Sequence, residues 1–146
     1  MKIIVLTENH PDPEALFRGE HGLAINVEHA GRHYLIDTGQ SDLFLNNAQV
    51  LGINLQSVDY VVITHGHYDH INGLAPFLKI NSSAKIIMSE NTLKQEYFGV
   101  KNHFKKNIGI NFLPDTSVTD RLILISRDTT IEGGLNFGFF KDRLTL

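Results

Sequence analysis

The sequence predicts an α/β fold of the α+β type: a mixed sheet with helices on one face. Three observations lead there. Short β-branched runs recur at Lys2–Thr7, Asp59–Thr64 and Leu122–Ser126. An early pair of partly alternating runs, joined across Ala30-Gly31-Arg32, predicts a hairpin with one buried face. From Ser41 onward, stretches with helical spacing alternate with strand-like runs, which adds βα units to the hairpin. With 146 residues, 42% of them hydrophobic, the chain reads as a single domain over residues 1–146. A domain of that size buries roughly 68–70% of its unfolded surface and needs no covalent staples.

The elements follow in order. Lys2–Thr7 is a first strand, and residues 8–22, with Pro11, Pro13, Gly19 and Gly22, form a loop. Leu23–His29 and His33–Asp37 are the hairpin strands, and Asp37-Thr38-Gly39 breaks the second. Ser41–Leu51 places Leu43, Phe44, Ala48 and Leu51 at helical spacing, with Ser41 as N-cap and Gly52 as C-cap. Asp59–Thr64 is dense enough in β-branched residues to be a strand buried on both faces. Leu74–Ile80 is a short helix with Pro76 in its first turn. Ala84–Met88 is a strand, Ser89–Phe98 a capped helix, Leu122–Ser126 a last firm strand. The Gly-rich end from Ile131 carries one or two weak strands.

Composition excludes several classes. No Cys means no disulfide framework and no thiolate metal site, and is compatible with a cytoplasmic location. A formal net charge of -3 leaves no electrostatic footprint for nucleic acid or an anionic membrane. The one basic cluster, Lys101 to Lys106, reads as a solvated loop. The apolar run Ile3–Leu6 is too short for a signal-peptide core of ~7–15 residues. No stretch approaches the ~20 apolar residues of a membrane span.

Eight His are the oddest feature, and three of them fall in Thr64-His65-Gly66-His67-Tyr68-Asp69-His70. The run follows directly on the buried strand. In extended chain His65 and His67 point the same way, and a turn at Asp69-His70 brings two more donors beside them. A buried strand delivering four polar side chains into one turn has no packing purpose. Three imidazoles and a carboxylate suit zinc, and also iron or manganese, as one ion or two. The other His are weaker candidates. His10, His29 and His33 read as solvated, and His103 sits in a polar basic stretch. Tyr68, between the ligands, faces either substrate or the loop's own packing.

The run THGHYDH resembles the His-x-His-x-Asp-His signature of the metallo-β-lactamase superfamily. Ile36-Asp37-Thr38-Gly39, Gly52-Ile53-Asn54, Ser57–His65 and Asn72-Gly73-Leu74 resemble other pieces of the family's pattern and stand in the family's order. Glu20-His21-Gly22-Leu23, Asp37–Ser41 and HGHYDHINGL resemble one hydrolase-like branch, which includes a methanopterin-biosynthesis enzyme acting on a pterin-linked ribofuranosyl aminobenzene phosphate.

The resemblance implies an αββα fold, of which this chain matches the N-terminal half, with the sheet's inner face left for a partner. It implies that His65 and His67 bind a first metal, and Asp69 and His70 a second. A hydroxide between two zinc ions would be the nucleophile, and Asp69 would orient it and serve the leaving group. Asp37 would hold the metal loop by hydrogen bonds; a simple turn carboxylate capping Gly39 or Gln40 is the equal alternative. His21 would lie near the metals, on the loop before the second strand. A full site would need later ligands. His103 substitutes poorly, and Asp115, Asp120, Asp128 and Asp142 remain as bridging carboxylates without a matching motif. Two protein ligands per metal fall short of the three usual at catalytic zinc. The expectation is thus a metal-dependent hydrolase of a small ester or phosphoester, or else a catalytically incomplete half-domain that pairs as a homodimer or with a complementary chain.

Overall fold

A computed structural model of the chain describes residues 1–10, 14, 16–93, 97–101, 103–110, 116–131 and 135–138. The elements are β1 (Lys2–Thr7), β2 (Ala24–His29), β3 (Arg32–Ile36), α1 (Leu43–Val50), β4 (Tyr60–Ile63), α2 (Tyr68–Ile71) and α3 (Leu74–Ile80), then β5 (Lys85–Ser89), β6 (Phe98–Lys101), β7 (Phe104–Asn107), β8 (Leu122–Ile125), β9 (Thr129–Ile131) and β10 (Leu135–Phe137). The main sheet has six strands in the order β1-β2-β3-β4-β5-β8. β1, β2 and β3 pair antiparallel, and β3, β4, β5 and β8 pair parallel. The sheet is mixed, as the sequence predicts. β6–β7 and β9–β10 are separate two-stranded ribbons.

Local chemistry explains the turns. The β2–β3 hairpin closes on Ala30 (φ 50) and Gly31 (φ 73), between the paired residues His29 and Arg32. Two positive φ values in a two-residue loop match the right-handed twist of the flanking strands. Helix α1 ends on Gly52 (φ 69), whose N–H bonds the Gln49 carbonyl while the Ile53 N–H bonds that of Ala48. That is the Schellman arrangement, and glycine adopts it without a Cβ clash. At the other end the N-cap is Asp42 rather than the expected Ser41, and its side chain makes no capping bond; Ser41, one residue earlier, accepts the Leu43 N–H on its Oγ at 3.1 Å.

All three helices cover one face of the sheet. Phe44, Ala48, Ile71, Leu74 and Phe77 pack there on Leu35, Val61, Ile63, Ile86 and Met88, all buried. Each such large side chain contributes about 1.5–3 kcal/mol relative to exposure. The opposite face is less open than a bare half-fold would be. Tyr34, Tyr60, Val62 and Ile87 are buried there, with Phe137 of β10 packed against them. Tyr34 and Tyr60 stack at 5.5 Å between ring centroids. Ile3 (56% exposed) and Val5 (50%) on edge strand β1 extend this apolar face outward. No helix among the described residues is long and apolar enough to cross a membrane.

Two expectations change. The helix expected over Ser89–Phe98 is absent from its described residues: β5 runs to Ser89, residues 90–93 turn, and Phe98 begins β6, while residues 94–96 lie outside the described ones. The Ser89 hydroxyl accepts the Asn91 N–H and the Ser89 carbonyl the Thr92 N–H, so local polar bonds win over helix propagation. The basic run around Lys101–Lys106 is a hairpin rather than a loop, though β7 is exposed throughout, as solvation of the cluster requires. The Lys105 ammonium rests 3.9 Å from the Phe98 ring centroid.

Asn81, at the end of α3, ties the helix layer to the sheet. Its fully buried amide donates to the Leu55, Gln56 and Val58 carbonyls and accepts from the Ser83 and Ala84 N–H groups. Replacing Asn81 by Ala leaves those groups unsatisfied. We expect a loss of about 2–4 kcal/mol in urea unfolding.

Candidate metal centre

The His-rich loop leaves the C-terminal end of β4, the most buried strand of the sheet. The neighbouring parallel strand β3 delivers Asp37 at its own C-terminal end. Clefts at that end of parallel strands are where side chains from successive loops converge. Asp37 continues the ladder by one bond, its N–H to the Val62 carbonyl at 2.8 Å, and then turns with φ 54. That left-handed conformation costs a non-glycine residue roughly 1–2 kcal/mol, and Asp is among the residues that tolerate it.

The Asp37 carboxylate is fully buried and fully used. Oδ1 accepts from the Thr64 N–H at 2.8 Å. Oδ2 accepts from the Thr64 hydroxyl at 2.8 Å and faces His70 Nδ1 at 2.7 Å. A carboxylate only accepts, so His70 carries its proton on Nδ1 and leaves Nε2 as a lone pair. The Thr64 hydroxyl spends its proton on Asp37, so His65 Nδ1, 2.9 Å from the hydroxyl oxygen, is also the donor. One carboxylate therefore sets the tautomer of two imidazoles. Of the two roles open to Asp37, this is the loop-holding one. The turn-capping role falls to Glu20, whose Oε1 accepts from the Gln40 and Ser41 N–H groups and whose Oε2 takes the Ser41 hydroxyl at 2.6 Å.

The rings lie together. His65 and His70 are 4.2 Å apart between centroids, and His65 and His67 are 4.5 Å apart. Burial, then the neighbouring His70 and His67, pushes His65 down to about 4. Burial also lowers His67. At His70 burial again works downward, but the Asp37 hydrogen bond and the charges of Asp37 and Asp69 outweigh it, and the value rises. Asp69 Oδ2 faces His70 Nε2 at 3.6 Å and His21 Nε2 at 3.3 Å. His21 thus reaches the site, as the resemblance implies.

His10 is exposed and bonds Glu8, and His29 is exposed. His33 differs from expectation: it is half-buried, with its ring between Ser57 and Asn26, because Ser57 precedes β4 beside the hairpin. His103 is exposed at a turn with φ 66. Asp120 is exposed, and its carbonyl takes Lys85 at the far end of β5 from the metal loop. Asp128 is exposed past the end of β8, and Asp115 and Asp142 lie outside the described residues. Tyr68 is half-buried, its N–H held by the Ile108 carbonyl at 2.8 Å.

Thr64 and Tyr97 carry weight that sequence reading missed. The Tyr97 ring lies edge-on to His67 at 5.0 Å and occupies the space a Cβ at Gly66 would need. Burial raises its phenol, against a bond from the Gly66 backbone. Thr64 stood in the motif as its first letter; nothing near Tyr97 marks it.

Nitrogen and oxygen donors with Nε2 lone pairs exposed by Asp37 fit a zinc-like ion chemically. As the side chains stand, no group of three or more His, Cys, Asp or Glu among the described residues is placed to hold a metal ion.

The shifts set a pH dependence for the metal-free protein. His65 and His67 titrate below 6.5 when folded. An unfolded chain therefore takes up protons first as pH falls, and stability drops from pH 6.5 toward 4. His70 titrates above 6.5 when folded, so its contribution is full below 6.5 and fades as pH rises through its raised value. Urea midpoints should peak near pH 6.5, and His65→Gln should flatten the acid limb.

A family model described as the metallo-beta-lactamase superfamily matches residues 18–141. Over 103 residues the chain is 33% identical to the 7,8-dihydropterin-6-methyl-4-(beta-D-ribofuranosyl)-aminobenzene-5'-phosphate synthase of Methanocaldococcus jannaschii, covering 66% of this chain and 35% of that protein. Over 98 residues it is 30% identical to a UPF0173 metal-dependent hydrolase of Enterococcus faecalis, covering 66% of this chain and 44% of that one. The crystal structure of Tm1679, a metal-dependent hydrolase of the beta-lactamase superfamily, superposes with a TM-score of 0.66 at 31% identity, over 90% of this chain and 44% of that chain. The chain thus spans less than half the length of these relatives. A family match across most of its length and a shared fold together mean that the chain belongs to the metallo-beta-lactamase superfamily.

Proposed function

We propose that the chain is the metal-binding part of a metal-dependent hydrolase that cleaves an ester or phosphoester bond in a small molecule. The observation that carries it is the Asp37 carboxylate, which turns the Nε2 lone pairs of His65 and His70 outward. A purely structural loop has no use for two imidazoles held in the ligating tautomer. The names of two relatives, both metal-dependent hydrolases, support the reaction class; the archaeal one is named as the synthase of a phosphorylated pterin compound, which supports only a small phosphorylated ligand.

In this reading His65 and His67 hold a first ion, and Asp69 and His70 a second. Zinc is the proposed metal, with iron and manganese sharing the donor preference. When bound, the ions supply positive charge that acidifies a water and polarises the bond to be cut. The residues of the chain do the rest. Asp69 orients the attacking water and passes a proton to the leaving group. Asp37 keeps both imidazoles aligned, and low proton affinity at His65 leaves its nitrogen available at neutral pH.

A second reading is favoured by the chain's share of its relatives, 35–44%. In it, catalysis needs a second chain, a copy of this one or a complementary partner, seated on the Tyr34–Tyr60 face. Native mass spectrometry separates the readings. A monomer that hydrolyses phosphoesters supports the first, and a dimer required for activity supports the second.

Elemental analysis tests the site itself. Wild type should hold metal after desalting, and His65→Ala with His67→Ala should hold none; unchanged content would overturn the assignment. Asp37→Asn keeps a residue that tolerates the left-handed turn but loses one acceptor. It should weaken zinc binding about 10–100-fold in competition with a chromophoric chelator, while far-UV circular dichroism stays native.

A further inference from the structure

We infer that His21 is a metal ligand, joining Asp69 and His70 to give the second ion three protein donors. The inference rests on the metal-centre reading above and supplies the ligand that the His-rich loop lacks. His21 lies on the loop between β1 and β2, and that loop is docked onto the donor loop by its backbone. The Leu23 N–H bonds the Asp69 carbonyl at 3.3 Å. Gly22, with φ +128, sits where any Cβ would collide with that same carbonyl. Only glycine brings the chain so close, and His21 is carried with it.

The tautomer of His21 is fixed as those of the loop imidazoles are. Asn9 Oδ1 accepts the Gly22 N–H at 3.0 Å, which identifies that atom as the oxygen. His21 Nδ1 lies 3.2 Å from it and donates, which in the neutral ring leaves Nε2 as a lone pair. That lone pair faces Asp69 Oδ2 at 3.3 Å, and His70 Nε2 faces the same oxygen at 3.6 Å. Both imidazole nitrogens face the same carboxylate oxygen, and a cation set among the three would satisfy them together. The two spacings to Asp69, 3.3 and 3.6 Å, are close to what a shared ion needs. Donors at ~2.0–2.1 Å from a tetrahedral zinc stand about 3.3–3.4 Å apart. The cage is not closed in the described residues, but the His21 side chain is 62% exposed and can turn the remaining distance.

The alternative is a protonated His21 that pairs with Asp69 as an ion. Glutamine keeps an N–H donor for Asp69 but is a poor zinc ligand, so His21→Gln separates the two. Metal-free wild type, His21→Gln and a His10→Gln control are titrated with zinc by calorimetry and with cobalt by visible absorption. Wild type and the control should take up two ions. His21→Gln should lose the second, or bind it at least ~100-fold more weakly, since even partners behind the ligands are worth 10–100-fold. In the wild type, the His21 Nε2 resonance in nitrogen NMR should move to the metal-bound range on zinc addition, a readout that needs no variant to fold. Equal stoichiometry and affinity within threefold, or an unmoved Nε2 resonance, overturns the His21 assignment alone. A wild type that binds no zinc overturns it together with the metal centre.

Discussion

Everything at the head of the sheet depends on the Asp37 carboxylate. It is fully buried at the end of one parallel strand and takes three hydrogen bonds from residues beyond the end of the next. A buried carboxylate is tolerated only when its lone pairs are met, because desolvation without partners costs several kcal/mol. The donor loop meets them. The same bonds that make Asp37 affordable in the interior aim His65 and His70 outward. Stability and site geometry are therefore one set of contacts, and the left-handed backbone at Asp37 is the strain that this set holds in place.

Around that anchor, close backbone approach does the positioning. Gly73 packs against the Thr38 and Ser41 carbonyls so tightly that a Cβ has no room, and its N–H bonds the Gly39 carbonyl at 3.1 Å. Glu20 clamps the turn after Asp37 from the other side. The β1–β2 loop thus grips both the Asp37 turn and the donor loop, through Glu20 on one and Leu23 on the other. Burial within this assembly disfavours charge on His65 and His67. Neutral imidazoles are what a metal needs, and the fold supplies them before any ion arrives.

Much of this was legible in sequence. The strand Tyr60–Ile63 and the donors after it announce themselves, since β-branched density and His-x-His-x-Asp-His spacing are local signals. So was α1, with Gly52 at its C-terminal end, though its N-cap is Asp42 rather than Ser41. The helix expected over Ser89–Phe98 failed because side-chain bonds from Ser89 compete with a helix in ways periodicity does not register. His33 was misjudged because its surroundings come from Ser57, across the hairpin.

What the sequence determined by itself is the chemistry available: which donors exist, in what spacing, on what strand, and that thiolates play no part. The tertiary structure decided which of them work together. Asp37 meets Thr64 and His70 across separations of 27 and 33 residues, Asn9 meets His21, and Tyr97 closes over Gly66. Periodicity and spacing are read within one element, whereas a tautomer is set by whatever group the neighbouring strand or loop brings within 3 Å. That neighbour follows from strand order and from glycines that let two backbones touch, and neither is written in the local pattern.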